Sequence, residues 1–254
     1  MTYHEQGFET DMGIGKFRRR NNILESDGKT VIVAMDHGRN RYIDGMENAG
    51  KLINAVRKGG ADAIIITYGL LKQVYREIPK DLGIILSIPM KPKQVELAAK
   101  IDAHAVKTTF FGDLKDRQRL APLDEVVIAC DENGIMFMPE IVPIDKEGTY
   151  LRDVKLLQHS VRMAAERGGD MVKTSYCDGF TEVVKASPIP VVILGGAKMD
   201  NDNDLLEMVN AMVKAGGNGV AFGRNIIQHK SPEKIVRAVP VIIQDDASLA
   251  AALQ

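Results

Sequence analysis

The chain has 254 residues, of which 45% are hydrophobic and 26% charged, and its net charge is −1. This length suits one closed α/β barrel or two small domains with a sizeable core. The near-neutral charge excludes a general attraction to nucleic acid or anionic membranes. Two cysteines are too few for a disulfide framework or a zinc site. The polar N-terminus carries no apolar signal core, and no apolar run reaches the ~20 residues of a membrane span. We therefore expect a cytoplasmic protein.

The first 29 residues are polar and rich in glycine and arginine. The basic run Phe17-Arg18-Arg19-Arg20 is either a nucleic-acid patch or, as we expect, part of an arm that packs across one end of the fold. Ile23 and Leu24 give such an arm apolar side chains to bury. We predict an N-terminal arm at 1–29, a barrel at 30–242 and a C-terminal tail at 243–254.

Beyond the arm, short apolar stretches alternate with helix-like stretches. The predicted strands lie at 31–35, 63–67, 83–88, 103–108, 135–140, around Lys173, at 190–194 and at 219–222. The predicted helices lie at 46–58, 70–76, 93–100, 123–132, 149–167, 180–186, 204–214 and 232–239. Strands that are apolar on both faces are typical of parallel sheets covered by helices. Eight alternations favour a single (β/α)8 TIM barrel over an open doubly wound sheet.

Lys173 is the least expected residue of this pattern, because it ends a buried strand and an unpaired buried ammonium is costly. One interpretation is a nucleophile, since burial and nearby cations favour the neutral amine that attacks a carbonyl to form a Schiff base. The alternative is a structural ion pair, or a lysine whose head group reaches solvent.

Further polar residues follow the C-terminal ends of strands, where barrel enzymes have their active sites. Asp36 and Glu140 are candidate proton carriers, or they form ion pairs with Lys173 or Lys107 that only hold geometry. Lys107 and Ser175 are candidate substrate contacts. A metal held with His37 lacks support, since no two histidines stand at ligand spacing, and we expect neither a metal nor a cofactor.

The ends of the seventh and eighth predicted strands carry Gly195-Gly196, then Lys198, and Gly223-Arg224. Glycine lets a backbone approach a ligand closely, and loops in these positions of a TIM barrel commonly bind phosphate. Arg224 would add a charge-assisted hydrogen bond. The alternative is that the glycines only make tight turns.

Four motifs stand in order at the ends of the expected strands. They are Met35-Asp36-His37-Gly38, Val172-Lys173-Thr174, Gly195-Gly196-Ala197-Lys198 and Gly223-Arg224-Asn225-Ile226-Ile227-Gln228. Together they resemble the archaeal-type class I fructose-bisphosphate aldolases. That group also includes 2-amino-3,7-dideoxy-D-threo-hept-6-ulosonate synthase and the autoinducer-2 thiolase. The likeness runs from about Gly15 to Val239.

The resemblance implies a TIM barrel, usually in a ring-shaped homo-oligomer, that acts on phosphorylated sugars without a metal. It implies that Lys173 is the Schiff-base lysine and Asp36 the acidic residue beside it. It also implies phosphate-binding turns at Gly195, Gly196, Gly223 and Arg224.

One position departs from the family. Its general acid/base tyrosine follows the fifth strand, and aligning the prolines places Val142 there in this chain. Glu140 or Tyr176 would then carry the proton, or the reaction is a different one. Lys107 is a further departure, which either favours the neutral amine of its neighbour or holds a second anionic group of the substrate.

The sequence therefore predicts a metal-independent class I aldolase. It would cleave or form a carbon–carbon bond in a phosphorylated ketose, such as fructose 1,6-bisphosphate or a related deoxy ketose phosphate. Three alternatives stay open. These are a transaldolase-like synthase, acetyl transfer to coenzyme A of the thiolase kind, and a phosphosugar-binding protein without activity.

Overall fold

The structure of the chain, a computed structural model, describes residues 13–245. The predicted arm and tail therefore extend outside the described residues, at 1–12 and 246–254. The strands are β1 (Thr30–Ala34), β2 (Ala63–Thr67), β3 (Gly83–Ser87), β4 (Ala105–Gly112), β5 (Met136–Pro143), β6 (Val172–Thr174), β7 (Val191–Leu194) and β8 (Gly219–Phe222). The helices are α1 (Ile14–Arg20), α2 (Ala49–Lys58), α3 (Tyr68–Val74), α4 (Lys93–Lys100), α5 (Arg117–Leu120), α6 (Pro122–Asn133), α7 (Val154–Glu166), α8 (Phe180–Lys185), α9 (Asp202–Lys214), α10 (Arg224–Ile227) and α11 (Pro232–Asp245).

The eight strands pair in parallel and in chain order, and β1 closes the ring by pairing with β8. Helices cover the outside of this ring, which is why the strands are apolar on both faces. The predicted TIM barrel is confirmed. The seam of the barrel is the pairing of β1 with β8. There, any residue other than glycine at position 219 would have its Cβ 1.9 Å from the carbonyl oxygen of Thr30. Only glycine allows this approach.

The inside of the barrel is filled with apolar side chains rather than water. Its buried cluster consists of Ile32, Ala34, Ala63, Ile65, Ile85, Ala105, Met136, Met138, Met171, Val192 and Ala221, with Ile23 and Leu24 from the segment after α1. Such layered filling by alternate strands is the rule in this fold. A polar group placed directly above this filling must find its partners within the protein.

The loop between β5 and α7 differs from the predicted pattern. Helix α7 begins at Val154 rather than near 149, because the Asp153 side chain caps it by accepting the N–H of Leu156. Residues 144–153 instead turn back, and an antiparallel bridge joins Ile144 to Tyr150. The sequence pattern did not predict this turn, which brings Tyr150 back toward the end of β5.

Helix α1, in the described part of the predicted arm, is fixed to the barrel by one buried ammonium. Lys16 is 6% exposed, and its Nζ lies 2.9 Å from Asp170 Oδ2 and 2.5 Å from Asp131 Oδ1. Asp170 Oδ2 also accepts the N–H of Phe137, 2.7 Å away, at the start of β5. The arm and the strand are therefore joined through one carboxylate.

We expect Lys16→Met to lower the free energy of unfolding by about 3 kcal/mol or more, because Asp170 would remain buried without its cation. Urea denaturation of the full chain measures this loss. Arg18→Met, which removes a charge from an exposed position of the same helix, is the matched control and should change stability by less than about 0.5 kcal/mol. Equal losses in the two variants would contradict the assigned role.

Candidate functional site

Four charged side chains form one layer on top of the apolar barrel interior. Lys107 Nζ donates to Asp36 Oδ2 at 2.8 Å and to Glu140 Oε2 at 2.7 Å. Lys173 Nζ lies 2.7 Å from Glu140 Oε1. Lys107, Glu140 and Lys173 are each no more than 5% exposed. The layer is thus a continuous chain of ion pairs in which Glu140 is shared by both lysines.

The pairing register of the strands places these charged side chains at one level along the barrel axis. Glu140 of β5 stands beside Lys173 of β6 on one side and beside Thr109 of β4 on the other. Thr109 Oγ1 donates to Glu140 Oε2 at 2.9 Å. Lys107 precedes Thr109 by two residues, so both point to the same face of β4. The barrel geometry therefore directs each side chain toward the axis.

The two lysines decide the charge state of the two acids. Burial alone would raise the pKa of Glu140, but the positive charges of Lys107 and Lys173 outweigh it and lower that pKa to about 2. Burial likewise opposes ionisation of Asp36, and the same two cations hold its pKa well below the ordinary value. The reverse effect raises the pKa of Lys107, because Glu140 and Asp36 outweigh its burial. Both acids are therefore carboxylates at neutral pH.

The two lysines differ in what they can do. Lys107 is held by two carboxylates, whereas Lys173 contacts only Glu140 within the described part of the chain. Lys173 can leave its single ion pair to reach a carbonyl carbon in the cavity, whereas Lys107 would have to break two ion pairs to do the same. This arrangement favours Lys173 as the nucleophile.

Both lysines line a cavity of about 550 Å³ that opens at the C-terminal ends of the strands. The opposite wall from Lys107 contains Gly195, Gly196, Gly223 and Arg224. Nε of Arg224 is buried and lacks a hydrogen-bond partner among residues 13–245. Such an unmatched donor facing a cavity is suited to a bound anion.

The glycine turns are held in place by one buried amide. Asn225 Nδ2 donates to the carbonyl oxygens of Gly195 and Ala197, and its Oδ1 accepts the N–H of Met199. A Cβ on Gly223 would lie 2.1 Å from Cε1 of His37, so the loop after β1 packs directly on this turn. Only glycine at position 223 allows this close packing.

Two of the predicted substrate contacts lie elsewhere. Ser175 is 1% exposed behind β6 and does not line the cavity. Lys198 is exposed and lines a separate depression with Asp202 and His229. The other predicted residues, Asp36, Lys107, Glu140, Lys173, Gly195, Gly196, Gly223 and Arg224, all line the one cavity.

Among the residues of the cavity wall that sequence reasoning missed are three guanidinium groups and one phenol. They are Tyr150 and the arginines Arg39, Arg41 and Arg119. Tyr176, which the sequence suggested as a proton carrier, instead packs its ring 5.3 Å from that of Phe180, outside the cavity wall. The tyrosine that the family carries after the fifth strand was the signal that could have pointed to Tyr150, because Tyr150 also follows β5, after a turn.

Tyr150 brings a phenol to the site from the turn after β5. Its ring lies 5.8 Å from that of Phe111, centroid to centroid, which fixes it against the end of β4. Burial raises the pKa of Tyr150, and the negative charge of Glu140 raises it further. The hydroxyl therefore keeps its proton at neutral pH and can donate it.

Residues 13–245 contain no group of three histidine, cysteine or acidic side chains that could hold a metal ion. This part of the chain also contains no helix long and apolar enough to span a membrane.

The ion pairs of Lys107 predict how the stability of the fold depends on pH. The pKa values of Asp36 and Glu140 lie below their unfolded values, so their ionised forms stabilise the fold above about pH 5, and this contribution is lost as the pH falls toward 2. Lys107→Met should cost about 3 kcal/mol or more at pH 7 and clearly less near pH 3.5. Urea unfolding at both pH values measures the difference.

The control for this variant is Lys198→Met, which removes an exposed lysine outside the cavity. We expect it to change stability by less than about 0.5 kcal/mol at either pH. A loss in Lys107→Met that does not depend on pH would refute the assigned charge states.

Comparison with known proteins places this site in a family. A model described as DeoC/LacD family aldolase matches residues 30–229. The chain is 30% identical to 2-amino-3,7-dideoxy-D-threo-hept-6-ulosonate synthase 1 of Archaeoglobus fulgidus, with 91% of each chain covered. It is also 30% identical to the synthase of that name from Halobacterium salinarum, covering 94% of this chain and 95% of the relative.

Solved structures share the fold. A Schiff-base-forming fructose-1,6-bisphosphate aldolase superposes with a TM-score of 0.78 at 22% identity, covering 90% of this chain and 99% of that one. The matched family range contains all eight strands and every charged residue of the layer. The family resemblance predicted from the four motifs is confirmed, and the chain belongs to the DeoC/LacD family of aldolases.

Proposed function

We propose that the protein is a metal-independent class I aldolase that acts on a phosphorylated ketose through an imine on Lys173. The observation that carries this proposal is the contact of 2.7 Å between Lys173 Nζ and Glu140 Oε1 inside the cavity. It provides an amine at the end of β6 and, next to it, a carboxylate that can pass the proton of that amine on to solvent.

The chemistry follows from these positions. Lys173 reacts as the neutral amine after its proton has passed by way of Glu140 to solvent, and it adds to the ketone carbon to give a carbinolamine. Tyr150 donates a proton to the departing hydroxyl, and water leaves to form an iminium. We assign Asp36 as the carboxylate that removes the proton from the substrate hydroxyl beyond the bond that breaks. The bonding electrons move into the iminium, and an aldehyde leaves. The enamine carbon then takes the proton held by Asp36, and water adds to the resulting iminium, returns one proton to Tyr150 and releases the product.

The glycine turns supply the second half of the proposal. Backbone N–H groups at Gly195, Gly196 and Gly223, with the unmatched Nε of Arg224, would hold the phosphate of the ketose. Binding of the phosphate holds the carbonyl carbon next to the amine. This lowers the entropy cost of bringing the two reacting groups together. The aldolase structure that forms a Schiff base with fructose 1,6-bisphosphate supports this substrate class by analogy.

A transaldolase-like transfer is the second candidate. Two relatives at 30% identity carry the name 2-amino-3,7-dideoxy-D-threo-hept-6-ulosonate synthase. Such an enzyme would keep the enamine on Lys173 until a second aldehyde attacks it. A cleaving enzyme releases the ketone product when no second aldehyde is present, whereas a transferring enzyme needs that aldehyde. Measuring product release without a second aldehyde therefore distinguishes the two reactions.

The cellular setting belongs to the proposal as well. We assign the protein to the cytoplasm as a ring-shaped homo-oligomer that binds no nucleic acid and no membrane. The net charge of −1 supports the absence of nucleic acid. The exposed apolar side chains Ile14 and Phe17 of α1 and Ile128 of α6 support contacts between copies.

Borohydride reduction tests the imine directly. With dihydroxyacetone phosphate or fructose 1,6-bisphosphate, we expect one reduced adduct per chain on the peptide that contains Lys173. The adduct should be absent in Lys173→Met. Peptide mass spectrometry locates it, and an adduct on Lys107, or none with any ketose phosphate, would end the proposal.

The role of Tyr150 has its own test. Tyr150→Phe should lower kcat by about a hundredfold or more, the effect of losing a general acid, and it should slow formation of the trapped adduct on Lys173 to a similar extent. Tyr176→Phe is the matched control, since it removes the same hydroxyl outside the cavity, and should change kcat less than about twofold. The assignment fails if the two variants lose activity equally.

A further inference from the structure

The segment between β5 and α7, residues 144–153, connects the tyrosine of the cavity with the glycine turn after β7. Tyr150 lies against Phe111 of β4, with the two ring centroids 5.8 Å apart. Two residues later, the side chain of Arg152 reaches Gly196. Because β6 stands between β5 and β7 in the closed barrel, this short segment spans the end of β6.

Arg152 borders open space beside Gly196. Among residues 13–245 outside the turn itself, the only heavy atom within 4 Å of a Cβ built on Gly196 is Arg152 Nη2, at 3.5 Å. The neighbouring turn is different, because a Cβ on Gly223 would meet the ring of His37 at 2.1 Å. Gly196 also lines the cavity. A guanidinium next to open space at a glycine turn is suited to an anion.

The guanidinium of Arg152 has all its donors available. Arg152 is exposed, and within residues 13–245 its side chain forms neither an ion pair nor a hydrogen bond. The adjacent carboxylate, Asp153, is used by α7, since its Oδ1 accepts the N–H of Leu156 at 3.0 Å. A guanidinium has five N–H donors in a planar fork that matches two oxygens of a phosphate. A phosphate beside Gly196 would therefore order this side chain.

The segment is held on β5 between Tyr150 and Arg152. The N–H of Leu151 donates to the carbonyl oxygen of Pro143 at 2.9 Å. On the other side of Leu151, Tyr150 forms the antiparallel bridge with Ile144. The two functional side chains thus flank one fixed residue. Ordering of Arg152 on one side of Leu151 restricts the conformations open to Tyr150 on the other.

We propose that Arg152 binds the phosphate of the ketose from outside the glycine turn, and that this contact positions Tyr150 to donate its proton. The ligand is a phosphate monoester dianion. The inference rests on the proposed function for the reaction at Lys173, whereas the contact with phosphate is a matter of binding alone. A ketose without phosphate is then a poor substrate, because its proton donor is less well ordered.

Glycerol 3-phosphate, which has no carbonyl, tests the contact apart from the imine. In isothermal titration it should bind about tenfold more weakly to Arg152→Met, the loss of one charge-assisted contact. Arg152→Lys keeps the positive charge and should recover part of this loss. Arg162→Met is the matched control, since it removes an exposed guanidinium from α7 outside the cavity, and it should bind like the wild-type protein. Equal affinity of Arg152→Met and the wild-type protein would overturn the inference.

Phosphite dianion tests whether the contact acts on Tyr150. Dihydroxyacetone lacks a phosphate, and saturating phosphite should accelerate its capture on Lys173 under cyanoborohydride by about tenfold or more. The acceleration should fall below about twofold in Arg152→Met and in Tyr150→Phe, and it should persist in Arg162→Met. A purely structural role of Arg152 would change the rate without phosphite but not this ratio. Full acceleration in Arg152→Met would therefore overturn the inference.

Hydrogen exchange separates the inference from the proposed function. Saturating glycerol 3-phosphate should slow amide exchange in residues 144–153 by about threefold or more in the wild-type protein and in Lys173→Met, since no imine is involved. It should leave this exchange unchanged in Arg152→Met. Slowing without any adduct on Lys173 would refute the proposed function alone. An adduct on Lys173 together with unchanged exchange in the wild-type segment would overturn this inference alone.

Discussion

The structure depends on one carboxylate that two lysines share. Glu140 lies on top of an interior of alanine, isoleucine, valine and methionine side chains, where an isolated charge would be costly. Lys107 and Lys173 make its ionised form stable, and Asp36 completes the pairing on the other side of Lys107. The layer has equal numbers of positive and negative groups. This balance lets the amine of Lys173 be buried next to a carboxylate.

The family and the individual chain contribute different parts of this site. Family membership accounts for the barrel, the lysine at the end of β6 and the glycine turns. The pairing of Lys107 with two carboxylates and the return of Tyr150 from a bridged turn are read from this structure. The same barrel can therefore keep a lysine in β6 while a tyrosine reaches the cavity from a different position in the sequence.

Sequence reasoning worked where strand position alone decides the direction of a side chain. Lys107, Glu140 and Lys173 lie in strands and Asp36 just after one, and parallel pairing in chain order brings them together. Sequence reasoning failed where the conformation of a loop decides the direction of a side chain. Tyr150 depends on the turn after β5, and Arg119 depends on where α5 begins. Lys198 shares a motif with Gly196 yet lies outside the cavity, because two residues of loop suffice to turn a side chain away.

The seam between the first and last strand has a consequence for how the protein is made. Thr30 of β1 pairs with Gly219 of β8, so the two partners are separated by most of the barrel sequence. Contacts of such long range form late, since the intervening chain must be ordered first. During synthesis, one edge of β1 stays unpaired until residue 222 has left the ribosome. An unpaired strand edge promotes aggregation. Asp36 and Gly223 lie on the two sides of this seam, so the layer of charged side chains meets the glycine turn after β8 only once β8 has been made.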